Sequence, residues 1–423
     1  MSSTLTISES NLHHNVQAAQ RILGETTLLA VIKADAYGHS ATLCAPLFVT
    51  AGVQWLGVTD AQEGAAVRAV TGPTPRILIM TAPPGDSDEA KEAAALTLAN
   101  DLTPIVSAAD QLLPLAEAAA LTSHTVPIHV EIDTGMSRQG VPPGPLLHVF
   151  LAHLKKYPGL RLDGLCTHLA SAECTDALQT QDQIAAFEQA CAQVHAANLL
   201  PFWIHLGNTS TLDNGSPTAA PVLPHLAQLA SFRAQPMARC GLALYGYSLP
   251  LSPDTPQDAR LRPALKPILT WTTTITAIEQ VPAGARIGYS GTYTTTRPRR
   301  LALLPIGYAD GLRRALSSTN AQPGGWVMIH GQRAPILGRI SMNLTTVDVT
   351  GINCHPGTLV TLLGEGITAE DHARLANCLP YEILCGLKAT KHNVLPNGHP
   401  ARAAVTAPAA EPMVENGMTR RTE

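Results

Sequence analysis

Residues Ala30–His39 read AVIKADAYGH: a short apolar run delivers Lys33 and then a polar turn that contains a glycine. In a (β/α) barrel the C-terminal ends of the strands form the active-site face, so a lysine at such an end stands where chemistry is done. Partial desolvation there lowers an amine from its usual value of about 10.4 and makes it nucleophilic, able to form a Schiff base with a carbonyl. The same placement also suits a lysine that lays its stem on apolar surface and carries its charge to water. Spacing alone leaves both readings open.

The elements needed to position Lys33 are legible around it. Apolar runs at Leu28–Ile32, Val53–Val58, Arg76–Met80, Thr103–Val106, Ile128–Ile132, Leu162–Thr167 and Phe202–Leu206 read as strands, with an eighth expected near Leu242–Tyr245. Continuous apolar runs are what parallel strands buried on both faces require. Alanine-rich helical stretches such as Asp60–Val70, Asp110–Leu121 and Gln181–Ala197 separate them, and Asp60 with Glu63 three residues on resembles a capping box. Strand–helix units repeated eight times predict an α/β fold, a (β/α)8 TIM-type barrel over residues 1–245, whose first few residues are free to join a second domain. The alternative is a doubly wound open sheet, but no G-x-G-x-x-G follows the first strand.

After Pro250 the pattern changes. Ile268–Val281, Arg300–Leu304, Gly325–His330, Ile336–Val349 and Leu359–Leu363 are β-branched runs punctuated by Pro–Gly turns, which predict a mainly β domain over 246–395. Pro217–Pro224 reads as a surface loop, and residues 396–423, rich in proline, alanine and charge without periodicity, as a disordered tail.

Composition narrows the function classes. Hydrophobic residues make up 45% and charged residues 14% of 423, so the bulk of the chain has the means to fold. A net charge of −4 offers no basic excess for nucleic acid. No apolar stretch approaches the ~18 residues of a membrane span, and the beginning MSSTLTISES lacks the parts of a signal peptide, so a cytoplasmic location is expected. The eight cysteines show neither C-x-x-C nor zinc-ligand spacing with histidines, so reduced thiols and no metal site are expected.

The decapeptide around Lys33 resembles the signature of the alanine racemase family, in which the lysine carries pyridoxal 5′-phosphate (PLP), and similar segments follow in order over most of residues 5–388. The resemblance implies an N-terminal barrel followed by a β domain, in agreement with the pattern above. It implies that Tyr37 contacts the cofactor phosphate, and that Arg138, in IDTGMSRQG, bonds the cofactor's phenolic oxygen and approaches the substrate carboxylate, a planar two-point contact suited to arginine. His168, in LCTHLASA, would lie between a pyridine-facing arginine and a catalytic tyrosine; Asn208 and Thr209, in HLGNTS, would lie near the phosphate. In ARCGLALYG, Arg239 would face the pyridine nitrogen, while Gly241 and Leu242 would offer backbone N–H groups as an anion nest. A guanidinium does not readily give up its proton, so the ring would be a weaker electron sink than one paired with a carboxylate, which limits transamination. In the β domain, Tyr289 of IGYSGTY would be the second catalytic base, reaching the partner's site in a homodimer; Tyr308 of LPIGYADG would line the substrate entryway; and the backbone N–H of Met342 in LGRISMN would contact the substrate carboxylate.

The implied reaction is PLP-dependent interconversion of L- and D-alanine, Lys33 serving one face of the α-carbon and Tyr289 the other, with D-alanine supplied for peptidoglycan. A broader or serine racemase, a decarboxylase on the same architecture and a non-catalytic PLP-binding protein are the alternatives; Arg239 disfavours the decarboxylase and the β domain disfavours the binding module. Several positions depart from the family pattern. Glu131 stands where many members have a lysine that becomes carbamylated, and its own charge suits the same place beside Arg138. Asn343 and Glu173 replace common entryway aspartates, the stretch from Thr209 to Arg239 is long, and after YEILCGL the chain reads KATKHN, with Ala389 where some members have a tyrosine.

Overall fold

The computed structural model describes residues 3–396 apart from 82–84, 86, 123, 176–177, 231–233 and 254. All but the first residue of the tail expected to be disordered therefore lies outside the described residues.

Eight parallel strands close into a barrel in sequence order: β2 (Thr27–Val31), β3 (Trp55–Val58), β4 (Arg76–Ile79), β5 (Leu102–Val106), β6 (Val126–Glu131), β7 (Leu160–Cys166), β8 (Trp203–His205) and β9 (Gln235–Cys240). The closing pair sets Leu29 beside Arg239 and Ala30 beside Cys240. Seven expected strands are present. The eighth is not at Leu242–Tyr245, which is a 3-10 turn, but at Gln235–Cys240. Gln235, Pro236 and Arg239 interrupt the apolar run there, and the strand accepts a buried arginine because the barrel interior supplies its acceptors.

The first strand, β1 (Thr4–Ser8), belongs elsewhere. It pairs antiparallel with β10 (Leu269–Thr274) and parallel with Lys391–Leu395, inside a six-stranded sheet. The following helix, Glu9–Leu23, returns the chain to the barrel, and buried Asn15 ties it down: its amide donates to Lys266 O at 2.8 Å and its oxygen accepts from Lys266 N at 3.0 Å.

The run Ile268–Val281 is two strands rather than one. Leu269–Thr274 joins the six-stranded sheet, whereas Ala277–Val281 pairs with Arg299–Leu304 in a three-stranded sheet completed by Thr345–Asp348. Of Ile336–Val349 only Thr345–Asp348 is a strand; Ile336 makes a single bridge to Val347, and most of LGRISMN is a loop. Pro217–Pro224 begins as loop, but a helix starts at Val222.

Candidate active site

The C-terminal ends of the barrel strands converge on a cavity of about 220 Å³ lined by Lys33, Met80, Thr81, Ile105, Glu131, Arg138, Gln139, Cys166, Thr167, His168 and Arg239. Four residues singled out from the sequence, Lys33, Arg138, His168 and Arg239, are brought together here from four separate strand ends.

Arg239 organises the cavity floor. Its Nη1 donates to His205 Nδ1 at 2.8 Å and its Nη2 to the Thr167 carbonyl at 2.7 Å; Nη2 also lies 3.3 Å from His168 Nδ1. A guanidinium only donates, so both imidazole Nδ1 atoms are acceptors and both rings carry their proton on Nε2. His205 Nε2 then donates to His129 Nδ1 at 2.8 Å. His129 in turn carries its proton on Nε2, which is buried and has no partner among the described residues. Burial and the nearby cations hold all three rings neutral: His168 and His129 fall to about 3, and His205 well below the usual histidine value. Gly164 makes room for the relay, since a Cβ there would lie 2.5 Å from the His129 ring.

Lys33 follows β2 and opens an unusual turn. Ala34, Asp35, Ala36 and Tyr37 all have φ between 53° and 55°. Left-handed backbone costs a non-glycine residue about 1–2 kcal/mol, so such a run persists only where neighbours hold it. Glu63 accepts from Ala34 N–H at 2.9 Å, Asp35 accepts from Ala41 N–H at 2.7 Å, and His39 Nδ1 lies 3.0 and 2.9 Å from the carbonyls of Ala36 and Tyr37. Gly38 closes the turn: a Cβ there would stand 2.1 Å from Leu384 O, in the helix Pro380–Cys385. Burial is the main force lowering the Lys33 amine below its ordinary value; Arg138 and Arg239 add to it and Glu63 opposes it. That is the state a nucleophilic lysine needs.

A second cluster adjoins Lys33. Tyr37 packs between Tyr245, ring centroids 4.9 Å apart, and Tyr381, at 5.8 Å. Its hydroxyl hangs over Gly241, where a Cβ would lie 2.3 Å away, and makes no hydrogen bond among the described residues. Thr209 Oγ1 accepts from Gly241 N–H at 3.2 Å. Leu242 opens the 3-10 turn, so its N–H has no partner within that turn. Asn208 caps the short helix Thr209–Asp213, accepting from Thr211 N–H at 3.1 Å. A phenol, a glycine that keeps the space open, a hydroxyl and the turn-opening N–H of Leu242 form a cradle for a phosphate; the Gly241 N–H is already given to Thr209 Oγ1. With an amine beside it and a buried guanidinium across the cavity, the donor set fits PLP.

Glu131 ends β6, and its Oε2 lies 2.5 Å from Gln139 Nε2, which also donates to Met80 O at 3.1 Å. Burial pushes its carboxyl up, while Gln139, Arg239 and Arg138 pull it down. Arg138 rides on a loop that Asp133 folds tightly, accepting from Gly135 and Ser137 N–H at 3.0 Å.

Tyr289, Tyr308 and Met342 do not line this cavity. They lie on the β domain, 68%, 43% and 57% exposed. Sequence reasoning missed Tyr381, Gln183, the His129–His205 pair and the second reach of Glu63. Gln183 pins His168 by donating to its carbonyl at 2.9 Å and accepting from Ala170 N–H at 2.9 Å. For the histidines a signal existed: each interrupts an otherwise apolar strand run.

Models of two alanine racemase domains match the chain, the N-terminal domain over residues 7–249 and the C-terminal domain over 268–395. A protein from Syntrophobacter fumaroxidans named alanine racemase is 32% identical over 92% of this chain and 96% of its own length. One from Sorangium cellulosum, named likewise, is 34% identical over 89% of this chain and 94% of its own. Among solved structures, an alanine racemase from Clostridium difficile 630 has a TM-score of 0.82 at 28% identity, covering 94% of this chain and 97% of that one. One from Streptomyces coelicolor has a TM-score of 0.80 at 30% identity, covering 94% and 98%.

Proposed function

The chain belongs to the alanine racemase family, and on that premise we propose that it interconverts L- and D-alanine with PLP in the cavity around Lys33. One observation carries the assignment of residues: a lysine amine held below its ordinary pKa shares a cavity with Arg138, His168 and Arg239.

Tyr37, Asn208, Thr209, Gly241 and Leu242 would hold the cofactor phosphate, Arg239 would face its ring nitrogen, and Arg138 its phenolic oxygen and the substrate carboxylate. When bound, PLP supplies an electron sink for negative charge at the α-carbon. The protein supplies the proton traffic. Lys33, whose amine burial holds below its ordinary value, takes or delivers a proton on one face of that carbon. Tyr289 of the partner subunit does so on the other. A phenol titrates near 10, so it needs help to act as a base near neutral pH. His168 offers that help: its Nδ1 faces Arg239, so its Nε2–H is the donor available to a phenolate.

The homodimer is part of the same proposal. Tyr289, Tyr308 and Met342 are solvent-exposed and away from their own chain's cavity, where groups that complete a neighbour's site belong. A cytoplasmic location and supply of D-alanine for peptidoglycan follow the family role. No disulfide joins the cysteines of the described residues, which suits a reducing compartment.

The test is D-alanine formation from L-alanine by purified protein with PLP, L-serine in parallel, for wild type, Lys33→Ala and Tyr289→Phe. Activity on alanine lost in both variants is expected. Bound PLP without racemisation of either amino acid would refute the reading.

A further inference from the structure

We propose that Glu63 is a positioning residue for Lys33, its carboxylate fastening the left-handed turn after the lysine to the end of strand β3. The inference rests on the reading of Lys33 as the cofactor lysine.

The two oxygens of Glu63 have separate duties. Oε2 accepts from Thr59 N–H at 2.7 Å, just past β3; Oε1 accepts from Ala34 N–H at 2.9 Å, at the first left-handed residue. β2 and β3 are neighbours in the barrel, with Val31 beside Gly57, so one carboxylate spans the ends of two adjacent strands. An ordinary capping box would return this side chain to the N–H of the cap residue itself. Here the cap, Asp60, accepts from Glu63 N–H at 2.9 Å, while the Glu63 carboxylate reaches past it to another element. The helix Ala61–Thr71 thus holds Glu63, and Glu63 holds the turn.

The other side-chain fastenings of the turn hold residues further along the chain from Lys33. Asp35 binds Ala41 N–H, and His39 sits on the carbonyls of Ala36 and Tyr37. Among the side chains of the described residues, Glu63 alone bonds the backbone of Ala34, the residue after Lys33; the backbone bond from Ala36 N–H to Ile32 O closes the turn around the lysine without fixing that N–H. Its charge also opposes the pull of Arg138 and Arg239 on the lysine amine. Two N–H groups bound to one anion are charge-assisted, so their loss is felt in the direction Lys33 points rather than in the fold alone.

The experiment compares holoenzymes of wild type, Glu63→Gln and Asp60→Ala. Asp60→Ala removes the cap of the same helix and leaves the bond to Ala34. Three quantities are read: visible circular dichroism of the bound cofactor, the rate of PLP dissociation, and Tm. Glu63→Gln is expected to change the dichroism and speed dissociation about tenfold, the loss of roughly one charge-assisted hydrogen bond. Asp60→Ala is expected to lower Tm at least as much while leaving the other two within about twofold. Unchanged dichroism and dissociation in Glu63→Gln, or equal changes in Asp60→Ala, would reduce Glu63 to a helix cap and overturn the proposal. Should Glu63→Gln fail to fold, Glu63→Asp, which keeps the charge and withdraws it by one carbon, takes its place with the same outcomes. A wild type that binds no PLP through Lys33, judged against Lys33→Ala, would instead bring down the site reading and this inference with it.

Discussion

The guanidinium of Arg239 lies 2.8 Å from Nδ1 of His205, and this contact fixes the protons of a buried relay. His205 must present its bare nitrogen to Arg239 and its N–H to His129, while His168 presents its bare Nδ1 and keeps an N–H for the substrate side. A permanent cation rests on neutral groups. Replacing Arg239 with Glu puts a carboxylate where a proton donor to the cofactor ring is then possible, and strands the relay. Racemisation is expected to fall by about a hundredfold or more, and pyruvate formed per D-alanine to rise about tenfold. Pyruvate assay during racemisation checks this; an unchanged ratio would contradict it.

Four buried histidines and the half-buried His168 make the fold acid-sensitive. His39 and His372 are lowered to about 4 and His129 and His168 to about 3, with His205 well below the ordinary value, all chiefly by burial. Unfolded, each titrates near 6.5, so below that pH the unfolded chain binds more protons than the folded one and stability falls as pH falls. The slope reaches at most about 1.4 kcal/mol per group per pH unit. Urea midpoints should be level above pH 7 and drop steeply between 6 and 4.5. A midpoint unchanged down to pH 5 would show that these rings are not held neutral.

Gly241 keeps the space under the Tyr37 hydroxyl, 2.3 Å from where a Cβ would sit. Gly241→Ala should push Tyr37 aside and weaken PLP binding about tenfold or more, read as the Kd from absorbance titration of apoprotein. Wild-type affinity would remove Tyr37 and Gly241 from the cradle.

Glu131 holds Gln139 and stands near Arg138 and Arg239. Glu131→Gln keeps the shape, removes the charge, and sets an amide against an amide. A fall in kcat/KM of about tenfold is expected, with weaker PLP binding. If both hold steady, the charge of Glu131 has no part in orienting Arg138.

Much of this was legible in the residues. Seven barrel strands announced themselves as apolar runs, and the order of motifs placed Lys33, Arg138 and His168 at strand ends. β9 escapes the apolar pattern because Arg239 breaks its run, and that residue is tolerated inside the barrel through acceptors on His205, Thr167 and His168, far away in sequence. The single run Ile268–Val281 hid a change of sheet, which depends on which partner strand each half meets. Asp60 and Glu63 read as a local cap; that one oxygen reaches Ala34 is a tertiary fact. Pairings such as Tyr37 with Tyr381 join residues from opposite ends of the chain, and no local pattern encodes them.

A two-base site divided between subunits is tested most directly by mixed dimers. Lys33→Ala and Tyr289→Phe homodimers should each be inactive on L-alanine. After unfolding and refolding together in equal amounts, half the dimers are mixed, and one site in each mixed dimer is intact. Recovery of about a quarter of wild-type D-alanine formation is expected. No recovery, with mixed dimers demonstrated, would contradict a site that joins Lys33 of one protomer to Tyr289 of its partner.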